Sequence, residues 1–264
     1  MRKSTTFIVI LLLAACSTVP LTNRRQFAVI PSQQMQALGV QSYQQVLKQE
    51  RISSNQADTR AIRQVGQRVT AAVEDYLQEA GRGEIVSDYK WEFNLLQGEE
   101  INAFCIPGGK IAFYEGIMPV CQNDNGIAVV MAHEIAHAIA DHSNERMTQQ
   151  LSIEMGGMAL SQALKEKNES VGQLALTVFG VGSQLGIILP YSRKHEQEAD
   201  ELGLYFMAMA GYDPREAPKL WERMLEFSTN NTPDFLSTHP NPESRIRFLN
   251  RKMSKAMQYY KNEN

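Results

Sequence analysis

The sequence predicts an α+β fold, mostly helical, with one small sheet. Three observations predict it. Long segments repeat apolar residues every three or four positions, one short segment alternates, and the turn Pro107-Gly108-Gly109 separates two apolar runs. At 264 residues, with 43% hydrophobic and 21% charged residues, the chain can bury a core of ordinary size.

Residues 1–15 stand apart from that fold and read as a signal peptide. Arg2 and Lys3 make a positive start, and Phe7 to Leu13 is an apolar run too short to cross a bilayer. The run ends in Leu13-Ala14-Ala15-Cys16, with small residues before a cut. This pattern resembles the lipobox of bacterial lipoproteins. The resemblance implies cleavage before Cys16, acylation of Cys16 and a membrane tether of several acyl chains. Ser17, where an Asp could stand, resembles an outer-membrane address, so the expected location is the periplasmic face of the outer membrane. The alternative is an ordinary secretory signal with an incidental cysteine. The net charge is −3, or −5 without Arg2 and Lys3, and no basic block appears, so no nucleic-acid partner is expected.

Residues 16–31 are polar, with Pro20 and Pro31, and read as the lipidated tether; residues 32–260 read as one domain. Helices are expected over 32–50 and 57–80. The second places Ile62, Val65, Val69, Ala72, Val73 and Leu77 on one side, and Gly81 and Gly83 end it. Residues 90–97 alternate, with Trp91, Phe93 and Leu95 on one face of a strand. Residues 101–114 form a hairpin about the Pro-Gly-Gly turn. Asn123-Asp124-Asn125 starts a helix that runs to about Asp141. Further helices are expected over 144–166, 171–189, 194–210 and 214–227, with a last one from Pro242. The stretch 171–189 carries no charge, but its four glycines and two glutamines favour a buried helix over a membrane span. Cys105 and Cys121 are either a disulfide pair or two small buried hydrophobes.

One pattern carries chemistry. In His133-Glu134-Ile135-Ala136-His137 the two imidazoles share a helical face and can reach one ion, with Glu134 beside them to polarise a water. Ile127, Met131, Ile135, Ala138 and Ile139 form an apolar stripe on the other side. A catalytic zinc wants a third protein ligand and one open position. The segment His195-Glu196-Gln197-Glu198-Ala199-Asp200 offers Glu196, with Glu198 and His195 as competitors. Glu196, Asp200 and Gly203 share a face. Asp200 could there accept a hydrogen bond from a ligand imidazole, and Gly203 would let two helices approach closely.

These motifs, with Asn102-Ala103-Phe104, Pro107-Gly108-Gly109 and Ser237-Thr238-His239-Pro240, resemble the zinc metallopeptidase family of the CAAX prenyl protease and the heat-shock protease HtpX. Within it they resemble the periplasmic, lipoprotein-type bacterial branch of BepA and LoiP. The resemblance implies a zincin-like (gluzincin) fold, one Zn²⁺ held by His133, His137 and Glu196, Glu134 as catalytic base, and Asp200 behind a ligand histidine. It also places His239 near the active site, either as a fourth ligand that closes the metal or as a donor to the oxyanion; a loop histidine capping the last helix is the structural alternative. The implied activity is zinc-dependent endopeptidase action on unfolded or misassembled envelope proteins. The rival reading is a chaperone-like binding lipoprotein with a self-inhibited zinc site.

Overall fold

The computed structural model describes residues 16–164, 189–227, 235–236, 239 and 242–260. The helix expected over 171–189, apart from Leu189 at its end, and the signal peptide lie outside these residues. The chain opens with β1 (Cys16–Thr18) and β2 (Arg25–Phe27), paired antiparallel with Cys16 opposite Phe27. It continues through α1 (Ser32–Gln49), α2 (Gln56–Glu79), β3 (Glu92–Leu96), β4 (Ala103–Ile106) and β5 (Lys110–Tyr114). Then come α3 (Met118–Cys121), α4 (Asp124–Ile139), α5 (His142–Leu164), α6 (Leu189–Met209), α7 (Glu216–Phe227) and α8 (Pro242–Tyr259).

The segment read as a free tether is part of the folded body. Val19 is fully buried in the main core, and Arg24 pairs with Glu145 and Glu198. Composition alone concealed this, because the contacts are ion pairs with residues far along the chain.

Local chemistry sets the elements. Asn55 caps α2 by accepting from the N–H groups of Ala57 and Asp58, and Asn123 caps α4 through Asn125 and Gly126. In α2 the residues Ile62, Val65, Val69, Val73 and Leu77 are all fully buried, as the helical spacing requires. The hairpin turn needs its glycines: Gly108 and Gly109 have φ of +90° and +82°, where a side chain would be strained.

The sheet order is β3-β5-β4, with β3 parallel to β5 and β4 antiparallel to it. The helices α2 and α4 cover one face. The other face is covered as well. Helix α1 crosses it, with Tyr43, Leu96 and Ala112 forming a small second core, and the Tyr43 hydroxyl donating to the Ile111 carbonyl at 3.2 Å. Buried Asn94 is satisfied there by donating to the Tyr43 oxygen at 3.0 Å. Strand β4 is left as an edge.

Helix α4 is the centre of the molecule, packed against α2, α6, α7 and β4. The face expected to carry the core and the face expected to carry chemistry are both buried. His133, Glu134 and His137 are as buried as the apolar stripe, because α6 closes over them. That closeness depends on Gly203: a Cβ there would stand 3.0 Å from both the Cα and the N of His133. Cys105 and Cys121 are both free thiols, so the disulfide left open by the sequence is not formed. Burial pushes the Cys121 thiol up to about 12, and Cys105 also lies well above the ordinary range. Both behave as small hydrophobes.

Candidate metal centre and active site

The middle of α4 and the first turns of α6 face each other across the Gly203 contact. Four side chains converge there. His133, His137, Glu196 and His239 each present one ligand atom, and these atoms lie within 4.8 Å of one another. His133 Nε2 is 3.1 Å from His137 Nε2 and 3.2 Å from His239 Nδ1. Glu196 Oε2 is 2.7 Å from His239 Nδ1, and Glu196 Oε1 is 3.4 Å from His137 Nε2. Lone pairs of imidazole and carboxylate pointed at one small volume repel unless a cation or protons lie between them. Two or three imidazoles and one carboxylate are the donor set of a zinc site.

Glu134 completes the fit. Its Oε2 accepts the N–H of Cys105 on β4 at 3.1 Å, while its buried Oε1 has no hydrogen-bond partner among the described residues. His239 Nε2 lies 3.5 Å from that bare oxygen. Burial raises the Glu134 carboxyl above its ordinary value, the direction that suits a base working near neutral pH.

Behind the ligands, Asp200 Oδ1 lies 3.4 Å from His133 Nδ1. Arg245 of α8 holds Asp200 through Nε at 2.8 Å and Nη2 at 2.5 Å, reaches Glu196 through Nη1 at 3.1 Å, and lies over the Trp221 ring at 3.7 Å. Burial alone would raise the Asp200 carboxyl, but this guanidinium overcomes it and holds the group low. Arg245 is itself only 1% exposed, so its charge acts in a poorly screened interior.

The competition for the third acidic partner is resolved by helix geometry. Glu198 and His195 point away from the group, to its far side. His142 Nε2 meets Glu198 Oε2 at 3.0 Å, and His195 Nε2 meets Glu145 Oε2 at 3.0 Å. Two His-x-x-Glu pairs, His142 with Glu145 on α5 and His195 with Glu198 on α6, thus pair crosswise. Their shared spacing was a legible signal, but nothing in the sequence said that the two helices meet. His142 Nδ1 lies 2.8 Å from His137 Nδ1, and burial pushes both rings down to about 3, so both are neutral.

Fold and site together define a zinc metallopeptidase family of the His-Glu-x-x-His kind. The family model described as Peptidase family M48 matches residues 63–253, and the chain belongs to that family. It is similar to the mitochondrial metalloendopeptidase OMA1 of Schizosaccharomyces pombe, 35% identical over 236 residues that cover 87% of this chain and 64% of that one. OMA1 of Saccharomyces cerevisiae is 33% identical over 184 residues, 67% of this chain and 51% of that one. The Beta-barrel assembly-enhancing protease of Escherichia coli is 32% identical over 161 residues, 59% of this chain and 33% of that one. The chain therefore spans less than two thirds of the length of each.

Proposed function

We propose that this chain is a zinc-dependent metalloendopeptidase that cleaves unfolded or misassembled envelope proteins. The observation that carries the activity is the convergence of four ligand atoms beside a buried carboxylate whose inner oxygen is bare, in a member of family M48. In this reading His133, His137 and Glu196 hold the ion through Nε2, Nε2 and the carboxylate. Zinc held there supplies Lewis acidity to the scissile carbonyl and lowers the pKa of the attacking water towards ~7. Glu134 takes the water's proton on Oε1 and returns it to the leaving amine. The Cys105 N–H keeps the other oxygen in place during both transfers. Asp200 accepts from His133 Nδ1 and so fixes which nitrogen of that ring faces the ion, with Arg245 holding Asp200 charged.

The substrate class follows from β4. It is a sheet edge whose Cys105 N–H already faces the site, so an extended chain can pair with it beside Glu134. Such pairing reads backbone more than side chains and suits proteins that expose extended segments. The name of the bacterial relative, a protease that enhances assembly of β-barrels, supports an envelope setting. A second reading, a chaperone-like binder with a closed zinc site, is favoured by His239 Nδ1 standing among the ligand atoms.

The activity is tested by casein digestion with full-length protein purified in detergent. Digestion should stop with a chelator, return with zinc, and fall ~10²–10⁴-fold in Glu134→Gln at unchanged zinc content. Full activity in that variant would sink the mechanism. The anchor at Cys16, on the periplasmic face of the outer membrane, rests on the N-terminal pattern. Among the described residues no helix is long and apolar enough to cross a membrane. Cys16→Ala should move the protein out of the membrane fraction; a variant that stays wholly in the outer membrane refutes lipidation.

A further inference from the structure

The N-terminal segment reaches the back of the metal centre. After β1 the chain turns at Leu21 and Asn23, both at positive φ, and this turn presents Thr22 and Arg24 to a buried carboxylate pair. Arg24 Nε meets Glu198 Oε2 at 2.6 Å, and its Nη1 and Nη2 meet the two Glu145 oxygens at 3.0 and 2.8 Å. The Thr22 hydroxyl donates to the other Glu198 oxygen at 2.5 Å. Further on, the Val29 N–H donates to Thr148, and Asn144 exchanges two hydrogen bonds with the backbone of Ile30. Residues 17–30 are thus strapped along α5 with Arg24 at the centre.

The strap connects to the metal through two histidines. A His137 that binds an ion through Nε2 must carry its proton on Nδ1. That nitrogen faces His142 Nδ1 at 2.8 Å, so His142 must offer a lone pair there and carry its own proton on Nε2. His142 Nε2 faces Glu198 Oε2 at 3.0 Å, and that oxygen, which also accepts from Arg24 Nε, accepts this hydrogen. One assignment of protons satisfies every pair. Remove Glu198, and His142 is free to carry its proton on Nδ1, where it opposes the Nδ1–H of His137 and turns that ring off the ion. Remove Arg24, and Glu145 and Glu198 lose the guanidinium that bridges them.

We propose that the 17–30 strap is a working part of the metal centre: Arg24 positions Glu198, Glu198 fixes the tautomer of His142, and His142 fixes His137 as a ligand. Arg24, Glu198 and His142 are positioning residues and touch neither metal nor substrate. The inference rests on His137 being a zinc ligand. It ties the integrity of the site to the chain that immediately follows the proposed membrane anchor.

The test measures zinc affinity of the full-length protein in detergent by competition with a chromophoric chelator, and the melting temperature of the zinc-free protein in parallel. Arg24→Gln, Glu198→Leu and His142→Phe should each weaken zinc binding ~10–100-fold. His142→Gln should stay near wild type, because an amide oxygen can accept from His137 while its NH₂ donates to Glu198. Unchanged zinc affinity in Arg24→Gln and Glu198→Leu, with only the melting temperature lowered, would reduce the strap to a stability element and overturn the proposal. So would a His142→Gln variant as weak as His142→Phe. If His142→Phe does not fold, the Arg24 and Glu198 variants decide the matter. A wild-type protein with no zinc affinity would overturn the metal-site reading itself, and is told apart from failure of the strap by that control.

Discussion

His239 is the side chain on which the two readings of this molecule divide, and its two nitrogens do different things. Nδ1 stands among the ligand atoms, 2.7 Å from Glu196 and 3.2 Å from the His133 nitrogen, while Nε2 faces the bare Glu134 oxygen. In the self-inhibited reading, one ring in that pose would take the fourth position and cover the base at once, closing the resting site to substrate. His239→Ala should therefore raise the rate on unfolded casein and promote self-cleavage, with zinc content kept by the other three side chains. Had the imidazole instead served the oxyanion, its loss would remove ~3 kcal/mol of transition-state stabilisation and cost ~10²-fold. A fall in rate at unchanged zinc excludes self-inhibition. The sequence made His133, Glu134 and His137 legible because i, i+4 spacing is local geometry. It left Glu196, Glu198 and His195 in competition, because which side of α6 faces α4 is set by the Gly203 contact, a tertiary fact.

Helices α4 and α6 form the frame of the site, and their separation is set at one residue. Alanine is ordinarily preferred to glycine inside a helix by ~1 kcal/mol, so Gly203→Ala would help α6 alone. Here the added carbon would press on the His133 backbone at 3.0 Å, where no flexible side chain can yield. The larger Gly203→Val should push α6 outward, carrying Glu196 and Asp200 away from both histidines. Zinc affinity should fall by at least ~10-fold while the circular dichroism of the helices is retained. Unchanged affinity in Gly203→Val would show that the frame tolerates a wider spacing. The same distinction between local and distant causes explains which elements could be read in advance. Helices α1, α2 and α4, the β4–β5 hairpin and the start of α8 at Pro242 all follow from periodicity, caps and turn residues. The strap was taken for a tether because Arg24 pairs with residues more than a hundred positions away.

Taken as one molecule, the fold keeps an unusual amount of ionisable chemistry away from water, and this should tie its stability to pH. His137 and His142 are buried as neutral rings with values of about 3, against 6.5 when exposed. Below pH 6.5 the unfolded chain therefore binds protons that the folded chain refuses, and stability falls with pH until about 3. Each ring lowers stability by up to ~1.4 kcal/mol per pH unit, so roughly 2 kcal/mol per histidine is lost between pH 6.5 and 5. Asp200 acts in the same direction at lower pH. Its folded value is depressed, so its stabilisation is present above the ordinary carboxyl range and is lost as pH falls through the folded value. Zinc on His137 adds stability by binding only the folded, unprotonated site. The metal-free protein should accordingly show a lower urea midpoint at pH 5.0 than at pH 7.5, and zinc should raise the midpoint at pH 7.5. His133, whose folded value is raised, acts in the opposite direction. His142→Gln removes one of the two rings held low without disturbing its hydrogen bonds, so it should reduce the pH dependence, and an unchanged difference between the urea midpoints at pH 5.0 and 7.5 in that variant would mean that His142 is not held neutral by burial.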